Sequence, residues 1–180
     1  YLFETDEHRT LRAQVRRFAQ EQIEPNAQRW DEAEEFPRSL YAIAAAANVL
    51  GIGYPENLGG AGGDITHVIA ASDEMIVSGK NVGVTVGLGS HAIALPPILA
   101  AGTEEQKQSF VAPVLRGEKI AALAVTEPEM GSDVASLRTQ AVRDGDHYVV
   151  IGEKMFITSG VRADFVTAAV RTGEESHAGI

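Results

Sequence analysis

The chain has 180 residues, 44% of them hydrophobic, enough to bury a core in one or two folded units and to exclude disorder as the main state. Its 25 acidic and 15 basic side chains give a formal net charge of −10, a field that repels nucleic acid and anionic membrane surfaces. There is no cysteine, which excludes disulfides, thiolate zinc sites, iron–sulfur clusters and a cysteine nucleophile, and the five histidines, scattered along the chain, suggest no metal site.

Residues 5–24 place Leu11, Val15, Phe18, Ala19 and Ile23 at three- and four-residue spacing, with Thr5 as N-cap, Asp6 and Glu7 in the first turn and Pro25 as the stop, which predicts an amphipathic helix. A second helix is expected after Phe36-Pro37, from Ser39 to Asn48, where Ala44 to Ala47 favour helix and close packing. The glycines at 59, 60, 62 and 63 mark a loop between Gly51 and Asp64. Helical patterning returns over Ile65 to Val77 and over Glu104 to Leu115, the latter begun by Thr103 and ended near Gly117.

Beyond Lys119 the apolar period shortens to two. Ile120 to Val125 reads as a short buried strand, Leu137 to Arg143 as an extended segment, and Phe165 to Val170 as a further strand. Asp144-Gly145 signals a two-residue type I′ hairpin between 139–142 and 147–151. Helices followed by strands, without alternation, predict an α+β chain: an N-terminal helical domain over 1–118 and a β-sheet or barrel domain over 119–180.

Val82 to Ala92 offers a strand-like run followed by G-x-G-x-x-A, with Glu104 and Glu105 further on, and so imitates a dinucleotide fingerprint. No βαβ unit follows it, so the plainer expectation is glycines that let helices pack or keep a pocket open. Ser90 and His91 are adjacent and point different ways, which argues against a nucleophile and base. The glycines at 59–63 lack the G-K-[S/T] ending of a phosphate loop and read as a turn. No uninterrupted apolar run approaches the ~20 residues that span a bilayer, and Tyr1-Leu2-Phe3-Glu4 lacks the basic start of a signal peptide. The expectation is a protein of a reducing compartment, not secreted and not inserted in a membrane.

Two stretches carry chemistry. Leu123 to Asp133 ends a strand in a bend shaped by Pro128 and Gly131 that holds two hydroxyls, Thr126 and Ser132, and the acids Glu127, Glu129 and Asp133; it is an ordinary loop or a nest for an anionic group such as a pyrophosphate. Lys154-Met155-Phe156-Ile157-Thr158-Ser159-Gly160 puts an aromatic, an aliphatic residue and a hydroxyl at a strand end; by itself it reads as core, the alternative being a flat face with a hydrogen bond for a ring system.

Together these stretches resemble the acyl-CoA dehydrogenase family, whose signatures are T-E-P-x-x-G-S-D and, further along, K-x-[W/F]-I-T-[N/S]-G. The similarity extends to Pro55 to Gly60 and to the helix start Gly102 to Lys107, and so covers essentially the whole chain. It implies a helical, then β, then helical fold, of which the C-terminal bundle is absent from this chain, and a protein of fatty acid β-oxidation. It implies FAD-dependent oxidation of an acyl-CoA thioester to trans-2-enoyl-CoA, with electrons passed to an electron-transfer flavoprotein by a homotetramer or homodimer, cytoplasmic in a bacterium or in the mitochondrial matrix of a eukaryote.

Carried over by motif position, the resemblance implies cofactor contacts from Leu123, Ala124, Val125, Thr126, Gly131, Ser132, Phe156, Ile157 and Thr158. Thr126 would bond the pyrimidine side of the flavin, Ser132 the pyrophosphate, Phe156 would cover a ring face, and the Thr158 hydroxyl would approach N5. Many relatives have Trp at the position of Phe156. Ser132, Thr85 and Gly89 would contact substrate, Gly89 standing where medium-chain relatives place a glutamate at the floor of the acyl pocket. No residue inherits the role of catalytic base, which is expected beyond Ile180, so the chain is read as a piece of a longer protein that is inactive alone. Glu127 and Asp133 are expected to shape or cap the loop. Use of oxygen as acceptor, as in an acyl-CoA oxidase, and a catalytically silent acyl-CoA- or flavin-binding relative are the alternatives.

Overall fold

The computed structural model describes residues 4–173 and 179. It divides into two units, Tyr1–Gly89 with Ile98–Lys119, and Ser90–Pro97 with Ile120–Ile180.

In the first unit the expected N-cap holds. α1 (Asp6–Phe18) starts at Thr5, whose side chain accepts the His8 amide while the His8 ring accepts the Thr5 amide. Pro25, however, does not stop the helical path. The chain widens into a π turn, Ala19–Ile23, tightens into a 3-10 turn, Glu24–Asn26, and continues as α2 (Ala27–Glu32). Proline lacks an N–H, so it breaks a helix interior but fits a first turn, where the donor would be unused; the π turn delivers Pro25 to such a position. α2 was not expected. It buries Trp30 near Phe36, with ring centroids 6.3 Å apart.

α3 (Ser39–Ala46) and α4 (Ile65–Gly79) follow the sequence pattern, α4 capped by Asp64. Val15, Phe18, Ala19 and Ile23 are buried on one side of this layer and Ala70, Ala71 and Met75 on α4, which packs on α1. A polar strut crosses the same contact: Arg16 holds both oxygens of the buried Glu74 carboxylate, at 2.8 and 3.0 Å, and Ser78 donates to it at 2.7 Å.

The run that looked strand-like, Val82–Leu88, is a helix, α5, because Asn81 caps it through the Val84 amide and the spacing of Val84 and Leu88 buries one side. Its close glycine packing is real at Gly87, where an added Cβ would lie 2.5 Å from the Phe36 ring. After Gly89 come α6 (His91–Ala94) and α7 (Pro96–Ala101). Val82–Ala101 is, by length and composition, apolar enough to cross a membrane, contrary to the sequence expectation; the structure breaks it at Gly89 and Leu95 into three short helices, with Val84, Leu88, Ala94 and Leu95 buried. The stretch begun at Thr103 is α8 (Glu104–Gln106), a π turn over Lys107–Val111, and α9 (Ala112–Leu115).

In the second unit β1 (Ala121–Ala124) pairs in parallel with β4 (Phe165–Ala168). Between them β2 (Gln140–Asp144) and β3 (His147–Ile151) form an antiparallel hairpin. Asp144 pairs with His147, so the two-residue loop is Gly145-Asp146, one position later than expected. Only Gly145 has positive φ, at 64°, the pattern of a type II′ turn with glycine first, not type I′. The hairpin is exposed on both faces over Val142 and Tyr148 to Ile151.

Candidate functional site

β1 is buried and its last residues carry the first motif outward. Leu123 and Val125 are half-buried, Ala124 is buried, Thr126 is half-buried, and Gly131 and Ser132 are exposed. Glu127 and Met130 bond each other's backbone in both directions, at 3.0 and 3.2 Å, which closes the bend around Pro128. Asp133 stands before a 3-10 turn over Val134–Ser136 and accepts the Ser136 hydroxyl at 2.5 Å.

The second motif follows β3 in a coil, not at the end of a strand that enters the core. Phe156 is 84% exposed, which overturns the core reading of the stretch taken alone. Its φ is 56° and that of Ser159 is 62°, left-handed values that are uncommon for side chains with a Cβ and that hold the aromatic outward. Ile157 is half-buried and Thr158 exposed. Among the described residues none hydrogen-bonds the hydroxyls of Thr126, Ser132 or Thr158, so each is available to a ligand.

The two motifs are bound to each other. The Met155 amide donates to Thr126 O at 3.0 Å. The Lys154 ammonium donates to Val125 O and to Glu127 Oε1, each at 2.9 Å, and the two side chains are only 13% and 3% exposed. Glu127 also accepts the Arg138 amide at 2.7 Å and the Thr139 amide at 2.9 Å. Burial alone would raise this carboxyl, but the bonds from Lys154, Thr139 and Arg138 outweigh it and bring it from 4.5 down to about 2. Arg171 braces the next loop, donating to Leu137 O and Ala135 O.

Glu127 thus shapes the loop, as expected, but Lys154, Thr139 and Arg171 were not singled out in the sequence. A buried acid within a motif, and a lysine opening the second one, were the signals that could have paired Glu127 with Lys154.

Thr85 and Gly89 belong to the first unit. Thr85 is half-buried on α5 and bonds Asn81 O, and Gly89 ends the helix with its amide on Thr85 O. An added Cβ at Gly89 would meet only carbonyls of the preceding turn, at 3.1 and 3.7 Å, so the packing explanation that suits Gly87 does not suit Gly89.

The histidines are less scattered than the sequence suggests. His8 and His67 stack with centroids 4.2 Å apart, and with Asp64 they bring a possible metal ligand each within 4.8 Å of the others. Their atoms are committed to the two helix starts: His8 reaches Thr5 and Thr66, both at 2.8 Å, and His67 reaches Asp64 at 2.9 Å.

Family models match both parts of the chain: the acyl-CoA dehydrogenase N-terminal domain over residues 5–118 and the acyl-CoA dehydrogenase middle domain over 122–180. The chain belongs to the acyl-CoA dehydrogenase family. A short-chain-specific acyl-CoA dehydrogenase of Clostridium acetobutylicum is 40% identical over 179 residues, 98% of this chain and 46% of that protein. A structure from Mycobacterium smegmatis assigned as an acyl-CoA dehydrogenase has 46% identity and a TM-score of 0.95, over 99% of this chain and 47% of its own. A glutaryl-CoA dehydrogenase from Mycobacterium smegmatis, solved with FADH2, has 29% identity and a TM-score of 0.83, over 94% of this chain and 43% of its own. The chain therefore spans somewhat under half the length of these acyl-CoA dehydrogenase relatives.

Proposed function

We propose that this protein binds FAD and dehydrogenates an acyl-CoA thioester to the trans-2-enoyl-CoA. The observation that carries the reading is the junction of the two signature segments: Lys154 and the Met155 amide hold them together while Phe156, Ser132 and Thr158 are exposed and the hydroxyl of half-buried Thr126 is uncommitted. An exposed aromatic beside uncommitted hydroxyls and a buried strand end suits a flat, polar-edged ring system.

Bound FAD supplies the acceptor for the substrate's β-hydride. Phe156 would cover a ring face and exclude water there; Thr158 would hold N5, Thr126 the pyrimidine side, and Ser132 the pyrophosphate and the substrate. Ile157 would support the ring, and Leu123 to Val125 with Gly131 would form the wall beside it. Glu127, the buried acid of the motif, is engaged by four donors and is not the base that takes the α-proton. Thr85 and Gly89 contact the acyl tail. Electrons leave to an electron-transfer flavoprotein, and the assembly is a homotetramer or homodimer.

The test is anaerobic titration of the FAD-loaded protein with short-, medium- and long-chain acyl-CoA. Bleaching of the flavin absorption with formation of the enoyl product is expected. Failure to bind FAD, or bound flavin that none of the thioesters bleaches, would sink the proposal.

A further inference from the structure

The contact between Lys154 and Glu127 does more than a loop requires. Glu127 has three donors besides the ammonium: the Arg138 amide on Oε2, and the Thr139 amide and hydroxyl on Oε1. Neutral groups alone could therefore have fixed this bend. Instead the chain withdraws a cation and an anion from water, with Lys154 13% and Glu127 3% exposed, and such burial carries a desolvation cost that neutral partners avoid. The charges also stand at chosen places: Glu127 directly follows Thr126, and Lys154 comes four residues before Thr158. Opposite charges at 2.9 Å cancel at a distance, whereas either one alone in a weakly screened interior projects a field.

We propose that Glu127 and Lys154 are a charge-balanced positioning pair for the flavin: they lock the two flavin-facing segments together and hold the field there near neutral, so that removing either partner shifts the flavin's reduction potential, in opposite directions. This rests on the FAD reading above. Reduction adds negative charge to the flavin, so an uncompensated cation nearby favours the reduced form and an uncompensated anion disfavours it. Glu127→Gln keeps the shape and an acceptor oxygen while leaving Lys154 unbalanced, and should raise the potential. Lys154→Met leaves the Glu127 carboxylate with its Arg138 and Thr139 donors and no cation beside it, and should lower it. The double variant should return toward the parent.

The measurement is the reduction potential of the FAD-loaded protein for parent, both single variants and the double. A pair with a merely structural role would loosen the site either way and move both single variants in the same direction, or neither; either result overturns the proposal. Should Lys154→Met fail to retain FAD, Glu127→Gln decides by itself: a raised potential supports the pair's role, and an unchanged or lowered one overturns it. A parent protein that binds no FAD would instead refute the FAD reading on which the pair's role depends, and the two failures are thereby told apart.

Discussion

Thr139 reaches the buried carboxylate of Glu127 twice, through its amide at 2.9 Å and through its hydroxyl at 2.5 Å. A hydroxyl bonded to a buried carboxylate contributes about 1.5–3 kcal/mol, where an exposed one contributes little. Thr139→Val should therefore lower the urea-unfolding free energy by about that amount, while Thr10→Val, whose exposed hydroxyl bonds Asp6 O, should stay within ~0.5 kcal/mol of the parent. Equal effects would show that the Glu127 hub adds nothing.

The same carboxylate makes stability depend on acid. Its folded value of about 2 lies below its ordinary 4.5, so its contribution is complete above 4.5 and is lost as the pH falls from there toward 2. Asp64 is lowered too, through the Thr66 and His67 side chains, but it stands in solvent and should matter less. Urea midpoints followed from neutral pH down through this window should fall for the parent and fall less steeply for Glu127→Gln. Parallel profiles would remove Glu127 from the acid response.

For the flavin contacts, Thr158→Val should change the reduction potential and slow reduction by substrate, whereas Thr85→Val should leave the potential where it was. Only the former removes a hydroxyl proposed to face N5, a contribution of ~1 kcal/mol or more. An unaltered potential in Thr158→Val would contradict that placement.

For the proposed acyl-tail contact, Gly87 on α5 and Gly89 at its C-cap separate two explanations. Each methylene buried in a pocket contributes about 0.8 kcal/mol, so Gly89→Glu, whose Cβ would press at 3.1 Å on the Thr85 carbonyl and on no side chain, should selectively depress kcat/KM for long acyl chains. Gly87→Ala should act differently, lowering Tm through the collision with Phe36 and depressing all chain lengths alike. A uniform loss in Gly89→Glu would dismiss the pocket-floor assignment.

Local signals were legible where a few neighbours decide the outcome. Thr5 and Thr103 cap their helices because the capping box lies within four residues, and β1 and β4 were visible as apolar runs between breakers. Pro25 misled because a π turn, which has no sequence period of its own, shifted the register in which the proline sits. Val82–Leu88 imitates a strand through its alternating valines, yet it lies in the stretch expected to be helical and is a helix, because burial of Val84 and Leu88 with the Asn81 cap decides it. The motif residues were recognised by resemblance, but the Glu127–Lys154 contact joins segments far apart in sequence and needed coordinates. So did the meeting of His8 with His67, which depends on how α1 and α4 pack.

The β2–β3 hairpin bears on colloidal behaviour. His147 to Ile151 is a short, aromatic and β-branched run with both faces open to solvent, the composition of a segment that recruits its own kind edge to edge. Asp144, Asp146 and Glu153 flank it as acidic gatekeepers, and the chain's −10 charge keeps copies apart at low ionic strength. Salt shrinks that protection, from a reach of ~30 Å at 0.01 M to ~8 Å at 0.15 M. Light scattering from this 180-residue chain should then rise with added salt, and Val150→Lys, which plants a charge in the middle of the run, should suppress the rise.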